Sequence, residues 1–214
     1  MNSKNKIRVI VICIIQFFTS NAFAAHENFE ADYQYSYFIN GLGSAIPEIG
    51  KGLDSLSSKI GGKYFAYITP IEGTLPITVA VISDVQAKLK HNPDAKFNII
   101  GTSYGGNIAT IIASQLNQIG ANVNYLAVID APAPLAIPKN VHRVDNFVCR
   151  RIGCIGQKLR LEKGNDLTWI EQFKLDSNHI ELSSNDFVQN RVIGQLTELP
   201  MDLKLIPNSK ELPK

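Results

Sequence analysis

The sequence predicts an α/β fold in three layers, with helices packed on both faces of a mostly parallel sheet. Three observations lead there. Short apolar runs rich in β-branched and aromatic residues alternate with stretches of helical spacing. Gly-x-Ser-x-Gly at 101–105 lies between one such run and one such helix. The chain has 214 residues, 45% apolar and 19% charged, the composition of one ordinary globular domain.

The first segment stands apart from that domain. Lys4, Lys6 and Arg8 make a basic start, Val9 to Phe18 is apolar but for Gln16, and Ala22-Phe23-Ala24 supplies small residues. This is the pattern of an export signal, with cleavage expected before Ala25. The apolar run is shorter than the roughly 20 residues that span a bilayer, so no stable membrane anchor is expected. Residues 1–24 are thus read as a removed signal peptide and 25–214 as one domain, in a periplasmic or secreted protein. Removing three basic residues takes the formal charge from +2 to −1. No Lys/Arg stripe remains, and nucleic acid is not an expected partner.

Tyr33 to Ile39 reads as the first strand, ending in Asn40-Gly41-Leu42-Gly43. A helix is expected from Pro47 to Ile60, with Ile49, Leu53, Leu56 and Ile60 on one face and Gly61-Gly62 as its stop. Lys63 to Thr69 is the second strand, followed by a turn around Glu72-Gly73 and a helix from Pro76 to Lys90. The third strand, Lys96 to Ile100, runs into the Gly-x-Ser-x-Gly turn; the helix behind it carries Ile108, Ile111, Ile112 and Leu116 inward and ends at Gly120. Tyr125 to Ile129 and Val141 to Val148 are the fourth and fifth strands. Residues 149–178 read as irregular, with a short helix near Trp169, and Phe187 to Leu196 is the last helix. No repeat, low-complexity tract or linker divides the domain.

Loss of Cys13 with the signal leaves Cys149 and Cys154. In an oxidising compartment, two cysteines this close are read as a disulfide. Cys149 as a nucleophile is the minor alternative.

Gly101-Thr102-Ser103-Tyr104-Gly105 carries the chemistry. As a pentapeptide it is a weak signal; between an apolar strand and an amphipathic helix it describes a nucleophile elbow. A turn that sharp strains the serine backbone and leaves no room for side chains two residues either way. Ser103 is therefore the expected nucleophile, exposed above the carboxyl ends of the strands. Of four histidines, His26 is near the mature terminus. His91 and His142 precede strands and belong at the opposite edge, with His142 kept as second candidate. His179 follows the irregular stretch and is the expected base. The acid that orients it is expected to be Asp130, at the end of the strand after the nucleophile unit. Asp166 is the runner-up and Asp145 a weaker third. Oxyanion donors are expected from the backbone N–H groups of Tyr104 and Leu42, with Gly41 next in line.

The elbow, the Asn-Gly-Leu-Gly loop and the terminal Asn178-His179-Ile180 resemble the α/β-hydrolase superfamily over most of the mature chain. An acid in Ile-Asp-Ala-Pro, one strand after the nucleophile, is similar to the lipase branch. There are two departures: Asn40 stands where many relatives carry His, and the first strand matches the family's third. The resemblance implies a small, nearly lidless domain with no metal and no cofactor. It also implies hydrolysis of an ester, thioester or amide through an acyl-enzyme. A carboxylic-ester hydrolase of esterase or lipase type is the main reading, on a small-molecule or lipid ester, with a thioesterase as variant. Ala131 to Ile137, Trp169 and Phe173 are candidates for an acyl pocket, and equally for core or loop packing. An acyltransferase with the same three residues, a non-catalytic binding protein and a protein attached to a membrane by residues 7–18 are the alternatives.

Overall fold

The computed structural model describes residues 33–46 and 51–197. The expected signal segment, His26 and the expected helix start at Pro47 lie outside the described residues.

Six strands form one sheet: β1 (Gln34–Ile39), β2 (Lys63–Phe65), β3 (Lys96–Thr102), β4 (Val123–Ile129), β5 (Val141–Cys149) and β6 (Trp169–Leu175). Their order is β2-β1-β3-β4-β5-β6, and every neighbouring pair is parallel. Parallel strands need crossovers, and helices supply most of them: α1 (Lys51–Ile60), α2 (Pro70–His91) and α3 (Tyr104–Gln118), with α4 (Asp186–Thr197) closing the chain.

Alternation along the strands divides the core into two layers. Tyr37, Ile39, Phe97, Ile99, Leu126 and Val128 face one way, against Val81 and Val85 of α2 and Ile108, Ile112 and Leu116 of α3. Phe38, Ile100, Tyr125, Ala127, Ile129 and Phe147 face the other way, against Leu53 and Leu56 of α1 and Val188 and Val192 of α4. Both faces are apolar because both are covered, which is why the central strands lack a polar side.

Three expected elements differ. The second strand, expected over Lys63 to Thr69, ends at Phe65. The turn at Glu72-Gly73 and the helix start at Pro76 are replaced by a helix that begins at Pro70 and runs through Pro76. Thr69 and Glu72 form a capping box, and Pro70 takes the first helical position where its missing N–H costs nothing. The early start also lays Gly73 against the Tyr67 ring, where a Cβ would stand 2.6 Å from Tyr67 Cδ2. The short helix expected near Trp169 is instead β6, paired with β5 from Arg143↔Trp169 to Cys149↔Leu175. It is an edge strand with a mixed surface. Phe173 and Leu175 pack inward on one face, while Gln172 on the other accepts from Asn146 and from the backbone of Leu159.

Candidate active site

Two strand ends stand side by side at the carboxyl edge. Beyond β3, the N–H of Ser103 donates to Ile129 O at 2.7 Å; beyond β4, the N–H of Asp130 donates to Phe147 O at 2.7 Å. Each chain then turns sharply. Ser103 has φ 54° and Asp130 φ 48°, the only positive values outside glycine among the described residues. Backbone strain of about 1–3 kcal/mol is retained where surrounding structure enforces it, and here it falls on two of the three expected site residues. Space around the elbow is tight: a Cβ on Gly105 would press on the carbonyl oxygens of Ile39 and Asn40.

His179 completes the set from below the last helix. The Asn178 carboxamide accepts the N–H groups of Ile180 (3.0 Å) and Glu181 (2.9 Å), curling the loop that bears it. From α4, Gln189 donates to the carbonyls of Gly52 (2.8 Å) and Ser183 (2.7 Å), tying the turn after His179 to α1. The imidazole Nε2 lies 2.9 Å from Ser103 Oγ, and Nδ1 lies 2.6 Å from Asp130 Oδ2.

Asp130 is fully buried. Burial alone would push its pKa up; the bond from His179 and those from the backbone of Ile155 and Cys149 outweigh it and hold the carboxyl below its ordinary value. A carboxylate only accepts, so Nδ1 carries the imidazole proton and Nε2 is left to accept from the Ser103 hydroxyl. Ser103, His179 and Asp130 thereby stand in one hydrogen-bonded line.

The loop after β1 is stitched to the chain beyond β2. Asn40, Gly43 and Ala45 donate their N–H groups to the carbonyls of Phe65, Ile68 and Tyr67 at 3.0–3.3 Å. Buried Asn40 donates to the Tyr64 hydroxyl at 2.6 Å and accepts the N–H of Gly41 at 2.8 Å. That bond occupies Gly41. The N–H of Leu42 has no acceptor among the described residues, and that of Tyr104 opens helix α3, where no intrahelical carbonyl is available. Leu42, Ser103, His179 and Ile180 line a cleft of about 60 Å³.

The other candidates lie elsewhere. Asp166 is exposed in the turn before β6, and His142 opens β5 at the amino edge. Asp145 is buried midway along β5, where it accepts from Tyr125 Oη (3.0 Å) and Arg191 Nε (2.8 Å). His91 ends α2 at the amino edge. The expected acyl pocket is corrected as well. Trp169 starts β6 at that same edge, and Phe173 stacks on Phe147 with ring centroids 5.2 Å apart. Ala131 and Ile137 are core residues. The cleft beside Ser103 takes its apolar walls from Leu42 and Ile180 instead, two loop residues whose exposure only the folded chain reveals.

Cys149 and Cys154 form a disulfide. With Asp130 they bring a carboxylate and two sulfurs within 4.8 Å, but the sulfurs bond each other and offer a metal no thiolate. The N–H groups of Ile155 and Gly156 on Asp130 left no sequence signal beyond that cysteine pair.

A search of solved structures returns RedJ, a thioesterase from the prodiginine biosynthetic pathway in Streptomyces coelicolor. It is 12% identical, with 79% of this chain and 87% of that one covered and a TM-score of 0.50. The chain has the α/β-hydrolase fold. The NocB thioesterase domain from the nocardicin cluster also matches the chain, at 14% identity over 78% of the chain and 95% of NocB, with a TM-score of 0.47. The Thioesterase domain family model matches residues 81–151, about a third of the chain, including Ser103 and Asp130. No curated protein sequence matches it significantly.

Proposed function

We propose that this α/β-hydrolase cleaves a carboxylic ester or thioester through an acyl-enzyme on Ser103. The observation that carries the reading is the pair of contacts of His179, 2.9 Å to Ser103 Oγ and 2.6 Å to Asp130 Oδ2. His179 takes the hydroxyl proton as Ser103 Oγ attacks the carbonyl carbon, and Asp130 stabilises the imidazolium that results. The tetrahedral oxyanion is held by the N–H groups of Leu42 and Tyr104. His179 then returns the proton to the departing alcohol or thiol. Water then attacks the acyl-enzyme carbonyl: His179 takes a proton from the water and gives it to Ser103 Oγ as that oxygen leaves, releasing the carboxylic acid.

The family model over residues 81–151 favours a thioester. The apolar side chains of Leu42 and Ile180 at the cleft favour an aliphatic acyl group. An exported site of action is part of the proposal: residues 1–24 read as a signal, and a disulfide persists in an oxidising compartment.

A fluorophosphonate serine probe tests the mechanism beside Ser103→Ala and His179→Ala. Labelling of the wild type that vanishes in both variants is expected. Well-folded wild type that does not label overturns the reading. Matched oxoester and thioester series of increasing acyl length then identify the bond and chain length. N-terminal sequencing of the exported form is expected to begin at Ala25.

A further inference from the structure

The carboxylate of Asp130 receives three backbone donors, all from one short stretch of chain. Cys149 N–H donates to Oδ1 at 3.2 Å, Ile155 N–H to Oδ2 at 3.1 Å and Gly156 N–H to Oδ1 at 3.1 Å. Cys149 is the last residue of β5, and its N–H is fixed by the sheet. Ile155 and Gly156 belong to no strand or helix, yet they approach Asp130 as closely as a bonded partner can. A Cβ on Gly156 would stand 2.8 Å from Asp130 Cα.

The Cys149–Cys154 bond joins these two ends, with Cα atoms 5.5 Å apart. One donor sits on the first half-cystine, and the next follows directly after the second. Between them Arg150 to Gly153 leaves the sheet, with Ile152 fully exposed. The excursion is also held by Arg151, which pairs with Asp176 at 3.1 and 3.2 Å and donates its N–H to Ser177 O at 3.2 Å, and by a turn in which Cys154 N–H donates to Arg151 O at 3.2 Å. Exposed ion pairs contribute about 0–1 kcal/mol. The chain is next anchored at Gln157, whose N–H donates to Ala131 O at 2.9 Å.

We propose that the Cys149–Cys154 disulfide is a positioning element of the active site: it holds the Ile155 and Gly156 N–H groups on Asp130, which keeps the carboxylate aimed at His179. The inference rests on the serine-hydrolase reading of Ser103, His179 and Asp130. Opening the bridge loosens two of the three donors, and the carboxylate is then free to turn from Nδ1. A dithiol opens it without other chemistry. The S–S bond breaks, each sulfur gains one electron and one proton, and the dithiol loses two of each as it closes into its own cyclic disulfide. Turnover therefore depends on the redox state of a bond that never touches substrate.

The test uses the full chain as wild type, Cys149→Ser/Cys154→Ser, Asp130→Asn and the triple variant, with the fluorophosphonate labelling rate as readout. If the bridge acts through Asp130, opening it slows labelling on the order of 100-fold in the wild-type background, since a small misplacement at the reacting centre costs that much. In the Asp130→Asn background the same change costs less than about twofold, because interacting sites are not additive. Equal losses in both backgrounds, or no loss in either, overturn the inference. Should the serine variant fail to fold, native wild type reduced by dithiothreitol and reoxidised supplies the same comparison, with recovery on reoxidation expected. Absence of labelling in oxidised wild type removes the functional reading and the inference together; equal labelling of oxidised and bridge-open protein removes the inference alone.

Discussion

Gly41 lies against Ser103 so closely that a Cβ added to it would stand 2.9 Å from Ser103 Cβ and 3.4 Å from Oγ. The loop after β1 thus packs onto the nucleophile itself, and its Leu42 N–H can face the space above the hydroxyl. Gly41→Ala is expected to push the two apart by some tenths of an ångström. Labelling of Ser103 should slow on the order of 100-fold, with little change in Tm. Labelling at the wild-type rate would show that the loop has no part in placing the serine.

Ser103 itself sits at φ 54° and ψ −128°. Glycine adopts such a backbone without the steric cost a side chain incurs, so Ser103→Gly is expected to stabilise the fold by about 1 kcal/mol while abolishing labelling. Thermal unfolding of the two proteins measures it. A lower Tm in the glycine variant would mean that the strain is not relieved there.

Asp130→Asn leaves an amide where Nδ1–H needs an anion, and a loss of about 10⁴-fold in turnover is expected. Asp166→Asn, exposed before β6, should be silent. The pH dependence of stability follows from the same carboxyl. Its folded pKa is held below the unfolded value of about 3.9. Its contribution is therefore complete above that value and is lost as pH falls through the lower folded one. Denaturant midpoints of wild type and Asp130→Asn should differ at neutral pH and converge in acid. A gap that widens on acidification contradicts this.

Arg191 is the main cationic partner of buried Asp145, through Nε at 2.8 Å and Nη2 at 3.3 Å, and it also pairs with Glu171. Arg191→Met leaves the carboxylate with the Tyr125 hydroxyl alone. A loss of roughly 3 kcal/mol in stability is expected, with the labelling rate of the folded protein unchanged. Denaturation and labelling measured on one sample separate these effects.

Local signals carried much of the architecture. Strands β3 and β4 were legible as mostly apolar runs bounded by turns, since strands buried on both faces leave a near-continuous pattern; β1 was legible as an aromatic-rich run and β5 in spite of its polar residues. The expected start of α2 at Pro76, after a turn at Glu72-Gly73, falls six residues late. The capping box at Thr69 and Glu72 and the contact of Gly73 with Tyr67 set the start at Pro70. β6 was misread because an edge strand presents a polar surface, and its pairing with β5 is formed with residues more than twenty positions away.

The sequence by itself determined which residues can do chemistry here. An elbow needs glycines around a serine, and short spacing shows them; an imidazole needs a carboxylate, which here lies 49 positions away. Asp130 was already expected ahead of Asp166 from its place at a strand end, and tertiary structure brings it to His179. Strand order in the sheet, a long-range property, sets β4 beside β3 and sends Asp166 to the far edge. It alone showed that Gly41 is already occupied, that Leu42 and Ile180 wall the cleft, and that a cystine loop carries the donors on Asp130. Backbone N–H groups are the same in every residue but proline, so the fold must aim them before any of them can be told apart.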